Sequence, residues 1–89
     1  MVPHFLGQNP DEVDALASGF EEKASTIEQL IASLDGAFDS TTWVGSDRTK
    51  FEGNWVAQIT PELKAVANSL KDAAQLAREN AREQRENTF

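Results

Sequence analysis

A chain of 89 residues with 15 acidic and 8 basic side chains, a formal charge of -7 and no cysteine has room for one domain. Multi-domain enzymes and disulfide scaffolds are excluded, and a single histidine rules out a structural zinc site, which takes about four Cys and His ligands. Apolar residues at 39% and charged residues at 26% describe a folded, water-soluble domain, too apolar for a disordered acidic tail and too interrupted for a membrane span.

The opening residues 1–13 hold no basic run, no continuous apolar core and no small-residue cleavage site, so no cleaved secretory leader is expected. His4 lies in this stretch and is expected to be inert. Asn9-Pro10-Asp11-Glu12 is a helix start: Asn9 can cap, Pro10 suits the first helical position, and Glu12 can close a capping box. From there Val13, Leu16, Ala17, Phe20, Ala24, Ile27, Ile31, Leu34 and Phe38 recur at three- and four-residue steps. They form a stripe about 100° wide on a helix predicted over residues 10–38.

Asp39-Ser40-Thr41-Thr42 are short polar residues that bond locally to backbone, and with Trp43-Val44-Gly45 they predict a turn over 39–45. A second helix is predicted over 46–86, capped by Ser46 or Asp47. Its apolar face holds Phe51, Trp55, Ile59, Leu63, Val66, Leu70, Ala73, Ala77 and Ala81. Pro61 removes a backbone hydrogen bond from it. A reversal at Thr60-Pro61 would give a three-helix bundle, but no glycine or loop length is present, and the stripe keeps phase through Ile59, Leu63 and Val66. A single helix kinked near residue 61 is the better reading. Beyond Leu76 the chain is charged and alanine-rich; local Glu79–Arg82 and Arg82–Glu86 pairs are expected, with frayed last turns.

The charge is unevenly placed. Asp11, Glu12, Asp14, Glu21, Glu22, Glu28, Asp35 and Asp39 face Lys23 alone in the first half, while the second half is balanced. The acids read as the solvated face of the first helix. They disfavour nucleic acid and anionic membrane surfaces, and the bases of the second half alternate with acids instead of forming a patch. No membrane insertion is expected.

Two helices bury only the seam between them, which leaves the large apolar side chains near the turn without cover. A domain this small buries only roughly 60 to 65% of its unfolded surface, so with disulfides and metal excluded a partner chain is the expected reinforcement. The fold class predicted is therefore all-α: an antiparallel helical hairpin over 1–89, turning at Trp43-Val44-Gly45 and pairing into a four-helix-bundle dimer. Phe20, Ile27, Ile31, Leu34, Phe38, Phe51, Trp55, Ile59, Leu63, Val66 and Leu70 are the expected core and dimer-interface residues. Trp43 reads as an apolar plug at one end, and Gly45 as a residue whose backbone angles are closed to others.

A short cysteine-free chain of two amphipathic helices has Trp43-Val44-Gly45 between them, Phe51 six residues after Gly45 and Trp55 one turn further. It resembles the WXG family of type VII (ESX) secretion substrates, the early-secreted-antigen or ESAT-like type. The resemblance runs from Asn9 to about Asn87, with Trp43 and Gly45 matching the family motif. The stretch TPELKAVANSLKDAAQLARENAREQ, with its proline and its Arg/Glu/Gln-rich end, looks like actinobacterial members. The resemblance implies a hairpin that pairs with itself or a related hairpin, and export from the cytoplasm through a membrane ATPase without a cleavable signal peptide. The chain departs from the family in having no tyrosine, and so lacks the Tyr-x-x-x-Asp/Glu export signal. That signal is then supplied by a heterodimer partner, or this chain accompanies a larger effector.

No catalytic, metal or cofactor constellation is visible: there is no Cys nucleophile and no second His, and the Ser and Thr residues lack a positioned base. The leading expectation is a non-enzymatic, dimeric, secreted type VII substrate. The alternative is an intracellular hairpin adaptor that masks the apolar helix of a toxin effector. An amphipathic membrane-active pair is disfavoured by the negative charge and by cations that do not segregate to one face.

Overall fold

The computed structural model describes residues 9–87, so His4 lies outside the described residues. All regular structure within them is helical: α1 (Pro10–Ser40), α2 (Ser46–Asn54), a π-helical turn (Trp55–Ile59) and α3 (Thr60–Glu86). Asn9 caps α1 as expected, its Oδ1 accepting from the backbone N–H of Asp11 at 3.0 Å and of Glu12 at 3.4 Å.

The helix runs two residues past Phe38. Hydroxyls expected to break it turn back onto its own carbonyls instead: Ser40 donates to Gly36 at 3.0 Å and Thr41 to Ala37 at 2.6 Å. At the other side of the connection the cap is Gly45, with no side-chain hydrogen bond, where the sequence suggested Ser46 or Asp47.

No reversal occurs at Pro61. Asn54, Trp55, Ile59 and Thr60 all keep right-handed helical angles, so α2, the π turn and α3 form one continuous arm. The interruption is absorbed just before the proline, where the Thr60 N–H reaches back to the Trp55 carbonyl, one residue further than in an α-helix. A proline ring crowds the carbonyl four residues before it, and one inserted residue widens the helix at that point. Beside it, Thr60 Oγ1 is buried without a hydrogen-bond partner.

The two arms run side by side in opposite directions, which makes the molecule 66 × 19 × 17 Å. Its radius of gyration is 19.8 Å, where a compact domain of this length has about 12 Å. The seam between the arms is lined by small residues. Ala17, Ala24 and Ile31 from α1 are buried, as are Ala67, Ala74 and Ala81 from α3, and four of these alanines have no exposed surface. Each set is spaced by seven residues, the repeat that keeps one seam facing another helix. Side chains this short let the backbones approach closely and exclude larger groups.

One flank of the seam is closed by ion pairs with the same seven-residue spacing. Arg85 donates to Asp14 at 2.7 Å and to Asp11 at 2.6 Å; Arg78 donates to Glu21 at 2.5 Å; Lys71 donates to Glu28 at 2.6 Å. Each step up α1 is matched by a step down α3, which fixes the antiparallel register. The acids read as a solvated face are therefore in part a row of cross-helix partners. Arg78 and Arg85 cross to α1, whereas the local Glu79–Arg82 and Arg82–Glu86 pairs expected from the sequence are not among the ion pairs of the described residues. The Arg85 pKa is raised, first by its hydrogen bond to Asp14 and then by that to Asp11. The Lys71–Glu28 and Arg78–Glu21 pairs are about half exposed and contribute at most about 1 kcal/mol each; their main effect is on register. The last turns, expected to fray, remain helical through Glu86, with Ala81 in the seam.

Candidate interaction surfaces

The closed end of the pair gathers the aromatic side chains. Phe38 packs against Phe51 with ring centroids 5.5 Å apart and against Trp55 at 6.4 Å, and Trp43 meets Phe51 at 5.8 Å. The tilted geometries suit aromatic quadrupoles better than face-to-face stacking. Trp55 is the buried member, 7% exposed, and its Nε1–H donates to Asp35 Oδ1 at 2.7 Å. Trp43 is 37% exposed and sits at the rim, so within the single chain the apolar plug is Trp55. The next row of acids reaches Asp35 after Asp14, Glu21 and Glu28. There the partner is the indole N–H of Trp55 instead of a base.

Arg48 ties the connection together. It donates to the Trp43 carbonyl at 3.0 Å and to the Phe38 carbonyl at 3.1 Å, and so places a cation at the C-terminus of α1, whose own last turn has no basic residue. Gly45 holds φ at 118° and ψ at -179°, a region that is essentially closed to residues with a Cβ. Nothing lies within 4 Å of where its Cβ would be, so the constraint is backbone alone. Gly45→Ala is expected to cost about 1 to 3 kcal/mol, read as a lower denaturation midpoint by circular dichroism; an unchanged midpoint would show that the connection relaxes freely.

The other flank of the seam is open and apolar. Phe20, Ile27, Leu63 and Leu70 are half-buried, and Leu34, Val66, Leu16 and Leu30 are 39, 49, 55 and 46% exposed. On α1 these residues follow the seam positions by three or precede them by one, which puts them on the side away from the acidic row. At the closed end the flank runs into an open hollow of about 190 Å³ between Leu34, Ala37, Phe38, Thr41 and Trp43.

Of the residues named from the sequence, Ile31 and Trp55 are buried, while Phe20, Ile27, Phe38, Ile59, Leu63 and Leu70 are half-buried. Leu34, Phe51 and Val66 are exposed in the single chain. Ala67 and Ala74, buried in the seam, were not among the residues expected to pack. Their seven-residue spacing with Ala81 was the available signal.

A second hollow is lined by Asp35, Asp39 and Glu52 with Phe38, Trp55 and Val56, but among the described residues no grouping of His, Asp and Glu is placed to hold a metal ion. Nor is any helix among them long and apolar enough to cross a membrane. The chain matches no protein-family model, no curated protein and no solved structure. Its class is set by the fold itself: an all-helical chain of two long antiparallel arms with one flank closed by charge and the other open.

Proposed function

We propose that this chain is a small non-enzymatic protein of the WXG type, exported by a type VII (ESX) secretion ATPase and working as a helical bundle formed with a second helical chain. The supporting observation is the combination at the connection: residues 41–45 join two long antiparallel arms, Gly45 occupies glycine-only backbone space, and Trp43 stands at the rim of the aromatic cluster. The open apolar flank provides the surface on which a second chain would complete a four-helix core. The side chains that line it are aliphatic and aromatic, with no nucleophile or base among them, so binding is the activity that the surface supports.

Export is tested by measuring the chain in culture supernatants of its native host with the type VII ATPase intact and inactivated. The expected result is loss from the supernatant and accumulation in the cytoplasm on inactivation; unchanged levels would remove this reading. A second reading is an adaptor whose open apolar flank pairs with a larger toxin effector. Co-purification of a long-helix effector with the cytoplasmic protein would support that reading.

A further inference from the structure

We infer that α2 is a lid, which opens as a unit between a pivot at Gly45 and a hinge at the π turn while the seam between α1 and α3 stays closed. The inference is independent of export and of what covers the open flank. The first argument is stability. α2 has 9 residues and buries none of them, whereas the buried residues lie in α1, in α3 and at Trp55. A helix shorter than about 12 to 15 residues is marginal in water without tertiary packing. The composition of α2 does not make up the difference. Ser46, Asp47, Thr49 and Asn54 are weak helix formers, Gly53 is weaker still, and the cap residue Gly45 makes no side-chain hydrogen bond. Local opening draws on segments of this kind.

The second argument is attachment. Phe51 rests on Phe38 and Trp43 while 51% exposed, and Arg48 reaches the Phe38 and Trp43 carbonyls. Among the described residues the ion pairs between the arms all join α1 to α3, and the pair within α2, Arg48–Glu52, is local. Asp39 of α1 and Glu52 of α2 line one hollow of about 200 Å³, so the lid closes over a gap with like charges on its two sides.

The third argument is that both ends of α2 can turn. Gly45, with φ at 118°, has the backbone freedom of glycine. At the other end Trp55 is anchored by burial and by Asp35, and the π turn that it begins already departs from α-helical bonding. Gly53 lies just before it, with nothing within 4 Å of where its Cβ would stand. A swing between these points breaks no seam contact. It uncovers the Phe38 ring and extends the apolar surface around the hollow beside Trp43.

The test is hydrogen exchange of the full chain, followed by NMR at one fixed protein concentration. Amides of residues 50–54 are expected to exchange at least about tenfold faster than those of Ala67 and Ala74, at rates that low urea leaves unchanged while it accelerates the seam. Gly53→Ala is expected to slow exchange in α2 about fivefold, the equivalent of the roughly 1 kcal/mol by which a helix favours alanine over glycine. Arg48→Gln, which loses the tie to α1, is expected to speed it at least about threefold. Limited trypsin digestion gives a second readout, with cuts after Arg48 and Lys50 expected before cuts after Lys23, Lys64 and Lys71; the reverse order overturns the proposal. Exchange in α2 as slow as in the seam, or with the same urea dependence, also overturns it. So do α2 amides that exchange at the free-peptide rate, since α2 would then not close at all.

Discussion

Trp55→Ala is expected to destabilise the protein by about 3 to 5 kcal/mol, the range for emptying a buried aromatic site. Trp55 is 7% exposed, packs on Phe38 and holds Asp35 through its indole N–H. It also sits at the first position of the π turn, so the cavity would open where the helix is already widened by Pro61. Trp55→Phe separates the contributions: it keeps a ring against Phe38, loses the hydrogen bond to a carboxylate that remains water-accessible, and is expected to cost roughly 1 kcal/mol. Urea denaturation by far-UV circular dichroism at one fixed protein concentration measures both. If Trp55→Ala costs less than about 1 kcal/mol, the aromatic cluster is not what secures the closed end. Trp43→Ala, at a rim position, should cost less than Trp55→Ala in the isolated chain.

Ala74→Leu should have the second-largest effect, a loss of about 1 to 3 kcal/mol or more from overpacking. Ala74 has no exposed surface and lies in the middle of the seam. Three extra carbons there have no space unless the arms separate, and separation would also lengthen the Lys71–Glu28 and Arg78–Glu21 contacts on either side of it. Leu is a strong helix former, so helix content in the isolated segment does not fall; the loss is specific to packing between the arms. A midpoint as high as that of the parent chain would show that the arms are not held at close approach.

The start of α1 was legible because its signal is local: Asn9 needs only the two N–H groups that follow it. The same holds for the continuity of the second arm through Pro61, since an apolar stripe that keeps phase leaves no place for a reversal. Ser46 and Asp47 are good caps for α2 by residue type, but the geometry of the connection puts Gly45, with its positive φ, at that position. α1 runs past its expected end at Phe38 for a related reason. Ser40 and Thr41 compete for backbone carbonyls, and in this chain the carbonyls they bond are those of the helix they were expected to end.

The seam shows where periodicity stops being informative. A stripe wide enough to contain Phe20, Ile27, Ala24 and Ile31 says which residues share a side of α1, but not which edge of that side meets the other arm. Two facts outside any single helix decide it. Alanines at matching seven-residue intervals on both arms allow a close approach that Phe20 or Leu34 would block, and acids on one arm meet bases on the other only in this register. Both rows stand in the sequence, but each acquires meaning only when the other is placed beside it.

Residue order alone specifies an all-helical chain of two amphipathic arms, with an aromatic-rich connection whose glycine has backbone freedom. These follow from interactions among residues a few positions apart, which any helix of this composition would make. Packing of one arm against the other settles that the buried seam is mostly alanine, that much of the acidic charge on α1 holds register, and that the large apolar side chains are left on one open flank. Those outcomes depend on how closely two helices can approach and which side chains then meet, and that distance is a property of the pair rather than of either strip of sequence.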